Sequence, residues 1–150
     1  MAERNYTTRR LAIVDALVEK LKDIDGTGLY LTNLFNQVSP RLKFWDEVEE
    51  FPAVHLNAGS ETREYQGGGY KDRFLNITLR CYVNEEDAVV GLERLMEDVE
   101  TVLEENSRLA YKDRTGQSQY THQITIVSID TDEGVLEPFG VGEMTIEVRY

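Results

Sequence analysis

The sequence predicts an α+β fold: a mainly antiparallel β-sheet with two α-helices packed on one face, plus a protruding β-hairpin. Three observations predict it. Two stretches carry apolar residues in steps of three and four, and several others carry them at alternate positions. The order is helix, strands, helix, strands, with no βαβ alternation and no internal repeat. At 150 residues the chain reads as one domain over 1–150, a length that buries a sizeable core without a metal or disulfide.

Thr7 or Thr8 caps the first helix. Its Leu11, Val14, Leu17, Val18, Leu21 and Ile24 lie on one stripe, and Asp25-Gly26 supplies the stop. A loop-rich stretch follows, with a strand expected near Leu34 to Val38 and a short one at "AVHLN" after Pro52. From Phe74 to Val83 the alternation is strict. Leu75, Ile77, Leu79, Cys81 and Val83 point one way, and Phe74, Asn76, Thr78, Arg80 and Tyr82 the other. One buried and one mixed face is the pattern of a half-covered antiparallel sheet. The second helix is expected to be capped by Asn84, with Val89, Leu92, Leu95, Met96, Val99 and Leu103 as its apolar stripe. "LAYKDRTGQSQYTHQ" reads as a polar connection. "ITIVSID" and "VGEMTIEVRY" close the chain, with Met144, Ile146, Val148 and Tyr150 on one face of the last strand.

The formal charge is −12. Between Glu85 and Glu105 stand nine acidic residues and one basic residue, Arg94, a local sum of −8 that is expected on one exposed helix face. Nucleic-acid affinity comes largely from cations that displace phosphate counterions, so so acidic a chain is repelled by DNA and by anionic membranes. The single cysteine, Cys81, cannot form an intrachain disulfide, which fits a reducing compartment. It falls on the buried face of its strand and is expected to be inert. "MAERNYTTRR" has no apolar core of a signal peptide and no segment approaches 18 apolar residues, so the expectation is a soluble protein of the cytoplasm.

Nothing argues for catalysis. "YQGGGYKDRF" opens a strand, whereas phosphate-binding glycine loops follow a strand and open a helix; its glycines therefore read as a hairpin tip. His55 and His122 have no paired cysteine, so no structural metal is expected. "DTDEG" places its glycine one position early for a calcium loop, and Val141 stands where the bidentate glutamate belongs. Neither GxSxG nor HExxH occurs. No catalytic residue, cofactor or metal is expected.

"EFPAVHL" (Glu50 to Leu56) and "TDEGVLEPFG" (Thr131 to Gly140), in order with "FLNITLRCYV", an acidic helix and a closing "GEMTIEVRY", resemble the tail terminator proteins of long-tailed bacteriophages, nearest the type of phages related to T5. The resemblance runs from the first helix to Tyr150. It implies a structural virion protein without enzymatic activity or cofactor, assembled in the host cytoplasm. It implies a ring, usually of six copies, that caps the head-proximal end of the tail tube, stops its polymerisation and forms the docking surface for the head. The implied partners are other copies of the chain, the tail tube protein and a head-completion or connector protein, with genomic DNA passing through the channel unbound. Two groups of residues suit its interfaces. Tyr65, Gly67, Gly68, Gly69 and Tyr70 form a hairpin that would be mobile alone and ordered by a neighbour. Phe44 and Trp45 are an aromatic pair among charges that either anchors a partner or caps the sheet core. The residues alone leave open a non-ring acidic adaptor module, and, less well supported, a small hydrolase using scattered carboxylates.

Overall fold

The computed structural model describes residues 7–150, the Trp45 side chain excepted. Its elements are α1 (Arg9–Leu21), β1 (Val38–Ser39), β2 (Ala53–Tyr65), β3 (Lys71–Asn84), α2 (Ala88–Glu105), β4 (Ala110–Lys112), β5 (Ser118–Tyr120), β6 (Gln123–Thr131) and β7 (Phe139–Arg149). Single 3-10 turns lie at Trp45–Glu47 and Gly67–Gly69. Five strands form one sheet in the order β1-β2-β3-β7-β6, and β4 and β5 form a separate ribbon. The β1–β2 pairing is parallel and the others are antiparallel. In the helix layer α1 packs against β2, and α2 against β3 and β7. Between helices and sheet, Leu75, Ile77, Leu79, Cys81 and Val83 of β3 meet Met144, Ile146 and Val148 of β7, all buried as their alternation predicts.

Thr8 caps α1, its hydroxyl accepting the Leu11 N–H at 3.1 Å. The buried stripe is Ala12, Ile13, Val14, Leu17, Val18 and Leu21, while Leu11 is exposed. The helix stops at Leu21, before the expected Asp25-Gly26, yet Ile24 stays in the core because the chain turns there, its N–H bonded to the Leu21 carbonyl at 3.1 Å. The strand expected near Leu34 shrinks to Val38–Ser39, because Phe35 and Asn36 take positive φ (50° and 61°), which breaks an extended path. "AVHLN" and "SETREY" are one 13-residue strand, β2, with a bulge between Ala58 and Glu61.

Asn84 does not cap α2. It ends β3, paired with Phe139, and the cap is Asp87, whose carboxylate accepts the Val90 N–H at 3.4 Å. Val89 is accordingly exposed, and Ala88 and Val102 join the buried stripe. The expected polar connection contains the β4–β5 ribbon. Its turn is built on Asp113, whose carboxylate accepts the Thr115 and Gln117 N–H groups at 2.9 and 3.1 Å. Hydrogen bonds, led by the Thr115 hydroxyl, hold the Asp113 carboxyl down at about 2.

Two close fits fix α2 on the sheet. Gly140 and Gly142 of β7 lie beneath it, and a Cβ at 140 would stand 2.7 Å from Val83 Cγ2 and 3.2 Å from the Ala88 carbonyl oxygen. Asp98 is the acidic residue of α2 that is buried, which corrects the expectation that the whole acidic run is solvated. Its carboxylate accepts the Leu31 N–H at 3.0 Å and the Thr32 N–H at 2.7 Å, pinning the loop after α1 to the helix.

Gly140→Val is expected to destabilise the fold by about 1–3 kcal/mol through overpacking. Asp98→Ala, which removes the acceptor of two partly buried N–H groups, is expected to cost about 1–3 kcal/mol. Asp98→Asn keeps an acceptor and is expected to cost less. Urea unfolding of the three variants measures both effects; equal losses for the two Asp98 variants would show that charge, not the acceptor, matters.

Candidate assembly surface

Strands β2 and β3 pair from Ala53↔Tyr82 to Tyr65↔Lys71, whereas β7 accompanies β3 only as far as Phe74↔Arg149. The remainder of the β2–β3 ladder therefore stands out beyond the sheet as a hairpin. Its base is held on both sides. Arg149 donates to the Asp72 carboxylate at 3.1 Å, the Tyr150 and Arg73 backbones exchange hydrogen bonds at 3.0 and 3.3 Å, and the Tyr150 hydroxyl donates to Glu61. Arg63 donates to the same carboxylate at 2.7 Å. Burial works to raise the Glu61 pKa, but the Tyr150 and Arg63 hydrogen bonds outweigh it and hold the carboxyl below its ordinary value. Burial, then Glu61, pushes the Tyr150 phenol up to about 12.

The tip closes with the Gln66 N–H donating to the Tyr70 carbonyl at 2.7 Å. Gly68 and Gly69 sit at φ +77° and +82°, a region that favours glycine. The "GGG" stretch is thus a hairpin tip, as its place before a strand predicts. Tyr65 and Tyr70 flank it with 73% and 76% of their surface exposed, and Lys71 Nζ lies 5.8 Å from the Tyr65 ring centre. Five of the seven expected interface residues are brought together here.

The other two are not. Phe44 is 69% exposed and lies at the opposite end of the β2–β3 ladder, where the Tyr82 hydroxyl donates to the Lys43 carbonyl at 2.6 Å and His55 Nδ1 to the Arg41 carbonyl at 2.9 Å. Burial lowers the His55 pKa. Along 12 residue steps of strand the two ends are roughly 40 Å apart. Trp45 opens the 3-10 turn beside Phe44, but its side chain lies outside the described residues. Sequence reasoning missed a further group of apolar side chains at this end of the ladder. Phe35 lines a cleft with Val38, Lys43 and Val48 and a second cleft with Leu31, Phe51 and Val83; it, Leu31 and nearby Leu29 are all exposed. The available signal was "TGLYLTNLF", with Leu29, Leu31, Leu34 and Phe35 in a stretch that directly follows the Asp25-Gly26 turn and is interrupted by Gly28 and Asn33.

Among the described residues no group of three or more His, Cys, Asp or Glu could hold a metal ion. In "DTDEG" the Asp132 carboxylate is engaged by the Leu136 and Val141 N–H groups at 3.2 and 3.4 Å, so it organises a turn. Cys81 is fully buried and its thiol is pushed up to about 12 by burial.

Residues 7–150 match the family model described as Bacteriophage Tail Tube Terminator Protein. The chain belongs to that family. It is 34% identical over 149 residues, 94% of this chain and 92% of the relative, to tail tube terminator protein p142 of Escherichia phage T5. The resemblance read from "EFPAVHL" and "TDEGVLEPFG" is thereby established. A chain in the virion of a native gene transfer agent particle shares the fold, with TM-score 0.60, 8% identity, and coverage of 95% of this chain and 98% of that one. As a tail tube terminator this is a structural protein of a phage virion, not an enzyme.

Tyr150 ties the terminator's hairpin to its final strand, and its titration gives a pH signature. Its folded pKa is raised above the unfolded value of about 10, so its contribution is fully present below pH ~10 and is lost as pH rises towards 12. Melting curves should therefore show Tyr150→Phe less stable than the natural protein at pH 7–9, with the difference shrinking from pH 10 upward. A difference that grew with pH would reverse the assignment.

Proposed function

We propose that six copies of this chain close into a ring on the head-proximal end of the tail tube, end tube polymerisation and present the surface on which the head docks. The observation that carries this reading is the placement of exposed aromatic and apolar side chains at two opposite poles, with Tyr65 and Tyr70 at the hairpin tip and Leu31, Phe35 and Phe44 at the far end. A subunit inserted between two different partners needs two different contact surfaces, and a few large side chains carry most of the energy of each. Ring closure needs heterologous contacts between neighbouring copies. The tail tube protein and a head-completion or connector protein are the partners at the two poles. The middle of the sheet face away from the helices is polar, with Thr78, Thr145 and Ser128 in one row and Asn76, Glu147 and Thr125 in the next. Such a face, on a chain of charge −12, suits a channel that lets DNA pass without adhering.

Electron microscopy and light scattering of the purified protein, alone and with tube protein, test the ring directly; a monomer under both conditions would replace it with an adaptor. Tyr65→Ala/Tyr70→Ala should leave the melting temperature unchanged, weaken assembly contacts by about 2 kcal/mol or more, and give overlong or headless tails. Hydrogen exchange at Gly67, Gly68 and Gly69 should be fast in the free chain and slower in tails. Equal protection in both states would reduce the hairpin to a simple turn.

A further inference from the structure

The hairpin base holds a concentration of positive charge that nothing in the terminator's activity has used. A cleft of about 460 Å³ opens between the start of α1, the β2–β3 ladder and the β4–β5 turn, and Arg9, Arg10, Arg63, Arg73, Arg114 and Tyr150 line it. Five of the chain's 16 basic residues converge here in a molecule of net charge −12.

Their own chain neutralises them only in part, through the Arg63–Glu61 ion pair and the Asp113 carboxylate that also lines the cleft. Asp113 is engaged by the turn it organises, and Glu61 by Arg63 and Tyr150. Arg10 donates to the Gly59 carbonyl and Arg73 stacks over the Tyr150 ring at 5.4 Å, so both are positioned by neutral groups. Among the described residues Arg9, Arg10, Arg73 and Arg114 form no ion pair. Arg63 and Arg73 are direct cross-strand partners, a like-charge juxtaposition that the single Glu61 carboxylate on Arg63 offsets only in part. Arg9 and Arg10 also occupy the first turn of α1, which has no acidic residue, and so add to the positive end of the helix dipole. Every local preference that would discourage this cluster is overridden at one place.

The same molecule carries the complementary surface. Glu93, Glu97, Glu100 and Glu104 of α2 recur at i, i+4, i+7 and i+11, forming an acidic ridge about 16 Å long. All but Glu100, which is half-buried, are exposed. In the helix layer α1 covers the β1–β2 side of the sheet, and α2 the β7–β6 side. Cleft and ridge are thus distinct patches on distinct elements, as a heterologous contact requires. We infer that the arginine cleft of each copy receives the acidic α2 ridge of the adjacent copy. This rests on the ring reading and gives it a polarity: each subunit offers its cleft to one neighbour and its ridge to the other.

Sedimentation velocity at fixed ionic strength tests the pairing. Arg9→Glu/Arg114→Glu and, separately, Glu93→Lys/Glu97→Lys should each weaken self-association at least ~10-fold while circular dichroism stays native, and Arg9→Ala/Arg114→Ala should give a smaller loss. Mixing the two charge-reversed variants should restore rings of alternating subunits, since the unaltered cleft of one meets the unaltered ridge of the other and the reversed cleft meets the reversed ridge. Combining all four reversals in one chain should restore rings. Cleft variants that still form rings like the natural protein would overturn this inference alone. So would cleft variants that form rings yet no longer cap tubes, because the cleft would then be holding an acidic segment of the tube. A four-reversal chain that is folded but stays monomeric would also overturn it. If the natural protein itself forms no rings, the ring reading fails first and this pairing with it.

Discussion

Strand β3 is hydrogen-bonded along almost its whole length on both sides, and the rest of the structure takes its position from that double pairing. Its register with β7 places Leu75, Ile77, Leu79 and Cys81 opposite Val148, Ile146, Met144 and Gly142, one continuous apolar floor for both helices. Its register with β2 continues past the end of β7, so the hairpin is an overrun of the sheet and not a loop inserted into it. The arm inherits the stiffness of the strands behind it, and only the five residues from Gln66 to Tyr70 lie outside the ladder. A contact made by Tyr65 or Tyr70 is therefore transmitted to the core through a paired backbone. Most of the entropy cost of ordering is confined to the glycines.

The parts of this architecture that follow from period-two patterning were legible in the residues. The alternation in β3 and β7 predicted the burial of Leu75, Ile77, Leu79, Cys81 and Val83 and missed that of Tyr82, which is covered on the opposite face by Val48 and Ala53, and the glycines declared a turn by preceding a strand. What was not legible depended on distant partners. Asn84 and Asp87 are equally good caps by local preference; the choice falls on Asp87 because the β3–β7 ladder claims Asn84 for Phe139. Asp98 looks like one more member of an acidic run, and its burial is decided by two N–H groups more than sixty positions earlier. The hairpin half of the candidate surface could be read directly. Leu31 and Phe35 could not, since exposed apolar residues in a loop look like core until the sheet that might have covered them proves to end elsewhere.

Charge is organised as well as abundant. Acidic side chains line the outer face of α2, and the arginines gather at the hairpin base, so a uniform average of −12 conceals a strong dipolar pattern. A net charge of −12 opposes non-specific association of chains through the exposed aromatic side chains. At contact distance the local pattern counts for more than the total, because solution ions screen charges beyond about 8–10 Å.

The bulge between Ala58 and Glu61 has a consequence of parity. Two residues of β2 oppose Asn76 alone, so Glu61, Arg63 and Tyr65 share the face of Ala58, which they would not do in an unbroken strand. The sheet and the arm are thus separate counting frames joined at one site. Adding or deleting one residue there would leave every core contact in place and turn the arm's chemistry over to its other side, while changes made in pairs would only alter its reach. Arm length can therefore change in even steps without altering which side chains share a face, whereas an odd step would exchange one face of the arm for the other.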